Sequence, residues 1–380
     1  MDVLHVTAAC GGGVRRHLSL LVPALNRRGV SCGLLGFDNH AEADFAASME
    51  AFRSWGIQAA HMNTDGGRLK ALALGWLAVK AAIEAAHPRI VHLHAGWAGL
   101  LRTALRRRFP DVRIVYSPHA FTTGPAVPPL KRRLIRFMER HMGSVTDAFV
   151  FVGRQEWEDA VALGLPEERF HLAENGLPSS FLSQVGSASE ARRALNIREV
   201  GQCFGVPCRL APQKGLDCVL KALSMMPSES HPHHVFFCGD GPEHKRLQRL
   251  AAKLHVEERV TFMGHVPDLG RHLNAFDAVL LPSRYEGLSY AWLETLWLGV
   301  PLIASRIPPN CPREELRSTV QFFEPDDAQG LASCLSRQLG EPCRMEALAR
   351  QASRLVRREF VLEDQVAKLA RVYAELMASR

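Results

Sequence analysis

Short apolar runs alternate with helix-patterned stretches along almost the whole chain, and this alternation restricts the fold more than any single motif. In the first half the candidate strands are residues 3–7, 31–37, 57–62, 90–94, 113–117, 148–152 and 170–173. Helical stretches lie between most of them, at 14–28, 68–86, 130–141 and 155–163. Strands that are apolar on both faces and separated by helices belong in a parallel sheet covered on each side. Residues 178–189, rich in Ser and small side chains, read as a linker. A second series follows, with strands at 203–207, 235–238, 260–263, 278–281, 302–304 and 321–323 and helices at 215–226, 243–254, 268–275, 290–298 and 328–339. Two helices close the chain, and in the last Leu362, Val366, Leu369, Val372, Tyr373 and Leu376 form an apolar stripe. A length of 380 residues suits two domains. The expectation is an α/β protein of two doubly wound domains, 1–180 and 190–357, facing across a cleft. A terminal helix lies at about 358–380. Ligands of such sheets bind at the carboxyl ends of the strands.

Several classes are set aside. The nine cysteines are scattered, odd in number and without a CxxC pair, so neither a zinc site nor a disulfide framework is expected. That usage fits a reducing cytoplasm. No apolar run has membrane-spanning length, and Met1-Asp2-Val3-Leu4-His5-Val6-Thr7 reads as a first strand, not a signal peptide. The net charge of +7 is unevenly placed. Between Arg89 and Arg140 eleven basic residues face only Asp111 and Glu139. This is either a solvated helix face or a surface for an anionic partner, such as a membrane or a lipid diphosphate. Without a recognition motif, nucleic acid is not expected.

The residues that carry chemistry sit at strand-to-helix turns. Gly11-Gly12-Gly13 follows the first strand and opens a helix, where backbone amides can approach a ligand. A plain tight turn is the other reading. His119 follows the strand at 113–117 and can bond a sugar hydroxyl or a phosphate. His92, between Val91 and Leu93, reads as structural, and His94 is open to either role. The His231-Pro232-His233-His234 cluster reads as a surface loop, not a metal site. Arg209 and Lys214-Gly215 flank one strand–helix turn, a cationic pair suited to a diphosphate. Gly239-Asp240-Gly241-Pro242 is a second such turn, its glycines suited to close ligand approach. The segment PSRYEGLSYAWLETLWLGVP at 282–301 holds Glu286 in a loop and Glu294 in a helix, with Ser289 as the expected N-cap. Two carboxylates in one apolar strand–helix unit are costly unless paired or ligand-bound.

In this order, the Arg209…Lys214-Gly215 turn, the Gly239–Pro242 turn and the spaced glutamates resemble the retaining glycosyltransferases of family 4, the group 1 glycosyltransferases of GT-B fold. Gly11-Gly12-Gly13, Asn175-Gly176, Val260-Thr261-Phe262-Met263-Gly264, Pro282-Ser283 and Gly299-Val300-Pro301 match the same pattern. The resemblance covers nearly the whole chain. It implies two Rossmann-like domains, with the terminal helix at about 358–380 packing back on the first, and a nucleotide-sugar co-substrate, a UDP-sugar ahead of GDP- or ADP-sugars, with no other cofactor and no metal. Arg209 and Lys214 would hold the diphosphate and Glu294 the ribose. Glu286 would contact the sugar, with backbone from Gly287, Leu288, Ser289 and Tyr290. Gly239 and Gly241 would line the donor, and Gly12, Gly13 and His119 would reach it from the first domain. Glu286, His119, Arg209 and Lys214 are the implied catalytic set.

The implied reaction is transfer of a sugar, with retention, to a glycan or lipid-linked acceptor in exopolysaccharide or cell-surface glycan synthesis. Its implied place is the cytoplasm or the inner face of the membrane. Two departures stand out: Cys208 replaces the usual glycine before the arginine, and Ser305 to Glu314 lacks the usual glycine pair. A GT-B epimerase or phosphorylase, or a catalytically degenerate scaffold, is the alternative, and the intact Arg209, Lys214, Glu286 and Glu294 argue against it.

Overall fold

The structure, a computed structural model, describes residues 1–38, 43–64, 68–121, 128–198, 201–226 and 233–379. It divides into two units, Met1–Gly176 with Leu362–Arg380, and Leu177–Val361. Residues 178–189, expected as a linker, lie within the second unit. Ser187 and Glu190 form a reciprocal capping box that starts a helix at Ala188–Ala194. Arg192 of that helix bonds Asp277 at 2.9 Å and the Ala275 carbonyl at 2.8 Å, anchoring the segment.

The first unit contains a seven-stranded parallel sheet. Its strands are β1 (Val3–Thr7), β2 (Cys32–Asp38), β3 (Gln58–Asn63), β4 (Ile90–His94), β5 (Arg113–Ser117), β6 (Ala148–Phe151) and β7 (Phe170–Leu172), in the order β3-β2-β1-β4-β5-β6-β7. Val3, Ile90 and Val115 on one face pack with Leu18, Leu21 and Val22 of helix Gly12–Arg27. Leu362, Val366, Leu369 and Tyr373 of helix Leu362–Ala378 complete the same core. Burying each such aliphatic side chain contributes about 1.5–3 kcal/mol. The terminal helix is also hydrogen-bonded, with the Gln365 amide donating to the Ala173 carbonyl at 3.0 Å. The opposite face packs Val6, Leu93 and Ile114 with Val79 and Ile83 of helix Arg68–Ala86.

The second unit holds six parallel strands, β8 (Gln202–Pro207), β9 (His233–Cys238), β10 (Val260–Gly264), β11 (Ala278–Leu281), β12 (Leu302–Ser305) and β13 (Gln321–Phe323), in the order β10-β9-β8-β11-β12-β13. In each sheet the strand order reverses beside the unit's first strand, between β1 and β4 and between β8 and β11. Such reversal points are where doubly wound sheets open a crevice for ligands. One expected helix, 268–275, is instead two short 3-10 turns, Leu269–Arg271 and Leu273–Ala275. Asp268 enters the first with φ +46, outside helical geometry.

The basic stretch also divides. Arg102 is fully buried, pairs with Glu139 at 2.7 Å and lies 3.9 Å over the Tyr116 ring. Arg106 and Arg113 pair with Asp147, and Arg108 with Glu84. These cations are committed to the fold. The helix Pro129–Gly143 keeps Lys131, Arg132, Arg133 and Arg136 on its surface.

Candidate functional site

The turns after β8 and β11, neighbours at the second sheet's reversal point, are stitched together. The Arg284 amide donates to the Gln213 carbonyl at 2.8 Å, and the Gln213 side chain donates to the Tyr285 carbonyl at 2.9 Å. The Arg284 guanidinium pairs with Asp326 at 2.7 Å and Asp217 at 2.8 Å and also donates to the Pro212 carbonyl. The hydrogen bond that Arg284 donates to Asp326 leads in raising the Arg284 pKa above its ordinary value. Gly215, at φ +61, lets the first turn lie directly on the Pro282 carbonyl, where a Cβ would collide with that oxygen. The result is an ion pair between Lys214 Nζ and Glu286 Oε1, with side chains only 19% and 12% exposed. The Ser283 hydroxyl donates to the same carboxylate oxygen at 2.8 Å. Burial opposes the Lys214 charge, but the adjacent Glu286 outweighs it and the pKa is raised. Lys214 is therefore a firm cation held beside a carboxylate.

Behind this pair, helix Tyr290–Leu298 is capped by Ser289, whose hydroxyl accepts from the Trp292 amide at 3.2 Å. Glu294 is buried in this otherwise apolar helix. Its carboxylate lies directly against Gly270, where any Cβ would strike it. Gly270 thus decides where the Glu294 carboxylate can sit, a contact that sequence reasoning missed because it expected a regular helix there. The loop that departs from the family pattern is firmly held. Asn310 donates to the Ser305 carbonyl at 2.9 Å, and Trp292 Nε1 donates to the Asn310 carbonyl at 3.0 Å.

Arg209 is exposed at the same turn and forms no ion pair among the described residues. For Gly239 and Gly241 the structure supplies a reason other than ligand approach. A Cβ on Gly239 would strike the Cys208 carbonyl, and one on Gly241 the Leu210 carbonyl. These glycines let two neighbouring turns pack backbone to backbone. His231 lies outside the described residues, while His233 and His234 stand on β9 beside Arg259 and Thr261.

In the first unit, Gly12 and Gly13 form the opening turn of helix Gly12–Arg27, with Gly12 at φ +59 and no heavy atom within 4 Å of a Cβ on either. His119 is half-buried at φ +57, beyond the carboxyl end of β5. Sequence reasoning treated the histidines singly, but the fold gathers five. Parallel pairing sets His5 of β1 beside His92 of β4, and His94 lies two residues further along the same face. His17 joins from helix Gly12–Arg27, with its ring 4.8 Å from that of His119. His5 Nδ1 meets His94 Nε2 at 3.0 Å, and His94 Nδ1 meets His119 Nε2 at 3.0 Å.

Two tautomers follow from the partners. Ser117 donates its proton to the Val150 carbonyl, so it accepts from His92 Nε2–H at 2.9 Å. His92 Nδ1 then accepts from the Tyr373 hydroxyl at 2.6 Å. His17 Nδ1–H donates to Asn175 Oδ1 at 2.9 Å, an oxygen that also accepts from Gln365 at 3.2 Å. Burial drives all five rings toward neutrality, holding His5 at about 3 and His17 at about 4, and His92, His94 and His119 well below the ordinary value.

Family models match both units. The glycosyl transferase 4-like domain aligns with residues 12–176 and the group 1 glycosyl transferases with residues 187–355. The chain belongs to the group 1 glycosyltransferases. Among curated relatives, this glycosyltransferase is 28% identical over 257 residues to the GDP-mannose-dependent alpha-(1-6)-phosphatidylinositol monomannoside mannosyltransferase of Mycolicibacterium smegmatis. That match covers 64% of this chain and 65% of the relative, just under two thirds of the relative's length. Among solved structures it is similar to sucrose-phosphate synthase from Thermosynechococcus elongatus, with TM-score 0.80, 18% identity and all of both chains covered. HepE of Anabaena in complex with UDP-glucose gives TM-score 0.79 and 18% identity, covering 99% of this glycosyltransferase and all of HepE. The shared fold is GT-B.

Proposed function

We propose that this glycosyltransferase moves a hexosyl-type unit from a nucleotide-sugar to a glycan or lipid-linked acceptor, with retention, in cell-surface glycan synthesis. The Lys214–Glu286 pair at the strand-order reversal carries this reading, because it sets a firm cation and a carboxylate side by side where a phosphorylated ligand enters such a sheet. Arg209 and Lys214 meet the diphosphate, Glu294 accepts from the ribose, and Glu286 stands beside the sugar with the backbone of residues 287–290. In the first unit, His119 and the Gly12-Gly13 turn are the candidates for polar contacts.

The bond from the anomeric carbon to the diphosphate breaks, and a bond to the acceptor oxygen forms on the same face. The acceptor proton passes to the departing phosphate oxygen, so no side chain acts as base. Cations and a helix N-terminus already in place favour the charge that develops on the leaving group. A UDP-sugar is the first choice of donor, as in the HepE complex, and GDP-mannose, named for the mycobacterial relative, is the second. Nucleotide release from both donors with glycan and lipid-linked acceptors tests the reading, and NMR of the product reports the anomer. No release from either donor with any acceptor would overturn it in favour of a binding role.

The proposal includes contact with an anionic membrane surface. On helix Pro129–Gly143, Leu130, Leu134 and Phe137 are 82%, 57% and 70% exposed at helical spacing. Lys131, Arg132, Arg133 and Arg136 flank this stripe. An apolar stripe among cations suits insertion at the headgroup boundary of an anionic leaflet. No helix among the described residues is long and apolar enough to cross a membrane.

A further inference from the structure

We propose that the histidine cluster of the first unit binds one divalent transition-metal ion, Zn²⁺ by its ligand chemistry, through His17, His94 and His119. One ring nitrogen from each lies within 4.8 Å of those of the other two. Two of these rings already meet nitrogen to nitrogen at 3.0 Å, close to the ~3.3 Å edge of a tetrahedron with Zn–N bonds of about 2.0 Å. The expectation of no metal rested on the missing CxxC pair and on the family resemblance. The cluster is assembled instead by β1, β4, the turn after β5 and helix Gly12–Arg27.

The partners outside the trio turn its rings inward. With the Nδ1 proton of His17 committed to Asn175, its lone pair is on Nε2, and Gln365 holds the same Asn175 oxygen. Metal-ligating imidazoles are typically fixed by such an outer hydrogen bond. His5 supplies the equivalent for His94, since its Nδ1 can accept the His94 Nε2 proton at 3.0 Å and leave His94 Nδ1 for the ion. His119 is held in a left-handed backbone, a strained state that persists where the surroundings demand it.

A second trio, His5, His92 and His94, is equally close, but all three are fully buried and both ring nitrogens of His92 are engaged by Ser117 and Tyr373. His119, half-buried, gives the first trio an entry route. Three neutral imidazoles without a carboxylate suit Zn²⁺ and not Mg²⁺ or Ca²⁺, which take oxygen ligands. A tetrahedral ion would keep a fourth position for water or an anionic oxygen.

The test uses the full chain stripped with chelator and titrated with Co²⁺, then Zn²⁺. One equivalent of Co²⁺ should give a tetrahedral d–d band that one equivalent of Zn²⁺ abolishes, and Zn²⁺ should raise the midpoint of thermal unfolding. His119→Asn and His17→Asn should each lower affinity at least tenfold and lose the thermal shift, whereas His234→Ala on β9 should keep both. Circular dichroism checks folding, and should His17→Asn fail to fold, the half-buried His119→Asn decides alone. Uptake below a tenth of an equivalent by wild type, or wild-type affinity in His119→Asn, would overturn the proposal.

Discussion

Lys214 Nζ touches Glu286 Oε1 although 72 residues separate the two in sequence. A diphosphate arriving at Lys214 therefore competes with, or shares, a carboxylate already present, and neither residue acts alone. Lys214→Ala should cut kcat/KM at least tenfold, about 1.4 kcal/mol in the barrier. It also leaves Glu286 largely buried without its cation. The double variant Lys214→Ala/Glu286→Ala should therefore cost less than the two single losses combined. Strict additivity would remove the coupled role.

Gly270 controls Glu294 from outside the glutamate segment. Gly270→Ala puts a methyl group where the carboxylate lies, so Glu294 must move. Donor KM should rise at least fivefold with unchanged circular dichroism, and Glu294→Ala should lower transfer at least tenfold. A Gly270→Ala protein with wild-type KM would show that the position of this carboxylate does not matter to the donor.

Glu156 predicts an unusual pH dependence of stability. Its Oε2 accepts from the Val152 amide at 3.1 Å, its Oε1 has no partner, and burial pushes the carboxyl up to about 8 from an ordinary 4.5. Between those values the folded chain keeps a proton that the unfolded chain releases, so this group makes stability fall as pH rises, by at most about 1.4 kcal/mol per unit. Below 4.5 both states are protonated and the penalty vanishes. Glu156→Gln should therefore melt above wild type at pH 8 and beside it at pH 4.5. The opposite ranking in a thermal scan would refute the assignment.

Vesicle flotation addresses the helix Pro129–Gly143. Wild type should float with anionic vesicles at low salt and less so as salt rises, because the Debye length shortens to about 10 Å at 0.1 M. Reversing the charge of Lys131, Arg132 and Arg133 should abolish flotation, and Phe137→Ser should weaken it at every salt. Equal flotation of all three would rule the surface out.

The strands were legible because their apolar runs are short and bounded by glycine and charge. The Arg209–Gly215 turn and the glutamate segment were legible because cations and carboxylates at strand ends are costly without partners. What could not be read were contacts created by strand order. Lys214 meets Glu286 only because β8 and β11 are neighbours. The five histidines meet only because β1 pairs with β4, and each looked ordinary in its own strand. Ser187 was readable after all, since Ser187-Ala188-Ser189-Glu190 spells a capping box that its small-residue setting disguised as a linker.

Helix Leu362–Ala378 inverts the order in which this protein can mature. The second unit is one continuous stretch, and Leu177 donates to the Phe360 carbonyl at 3.1 Å, so its ends close on each other. The first unit precedes the second along the chain yet lacks Val366, Leu369 and Tyr373 until the whole second unit has been made. In a nascent chain the sheet face around Val3 and Ile90 is covered only in part, by helix Gly12–Arg27, and His92 waits for its phenol partner. The half of the molecule made first is finished last, and during that interval its apolar groove is what a chaperone would encounter.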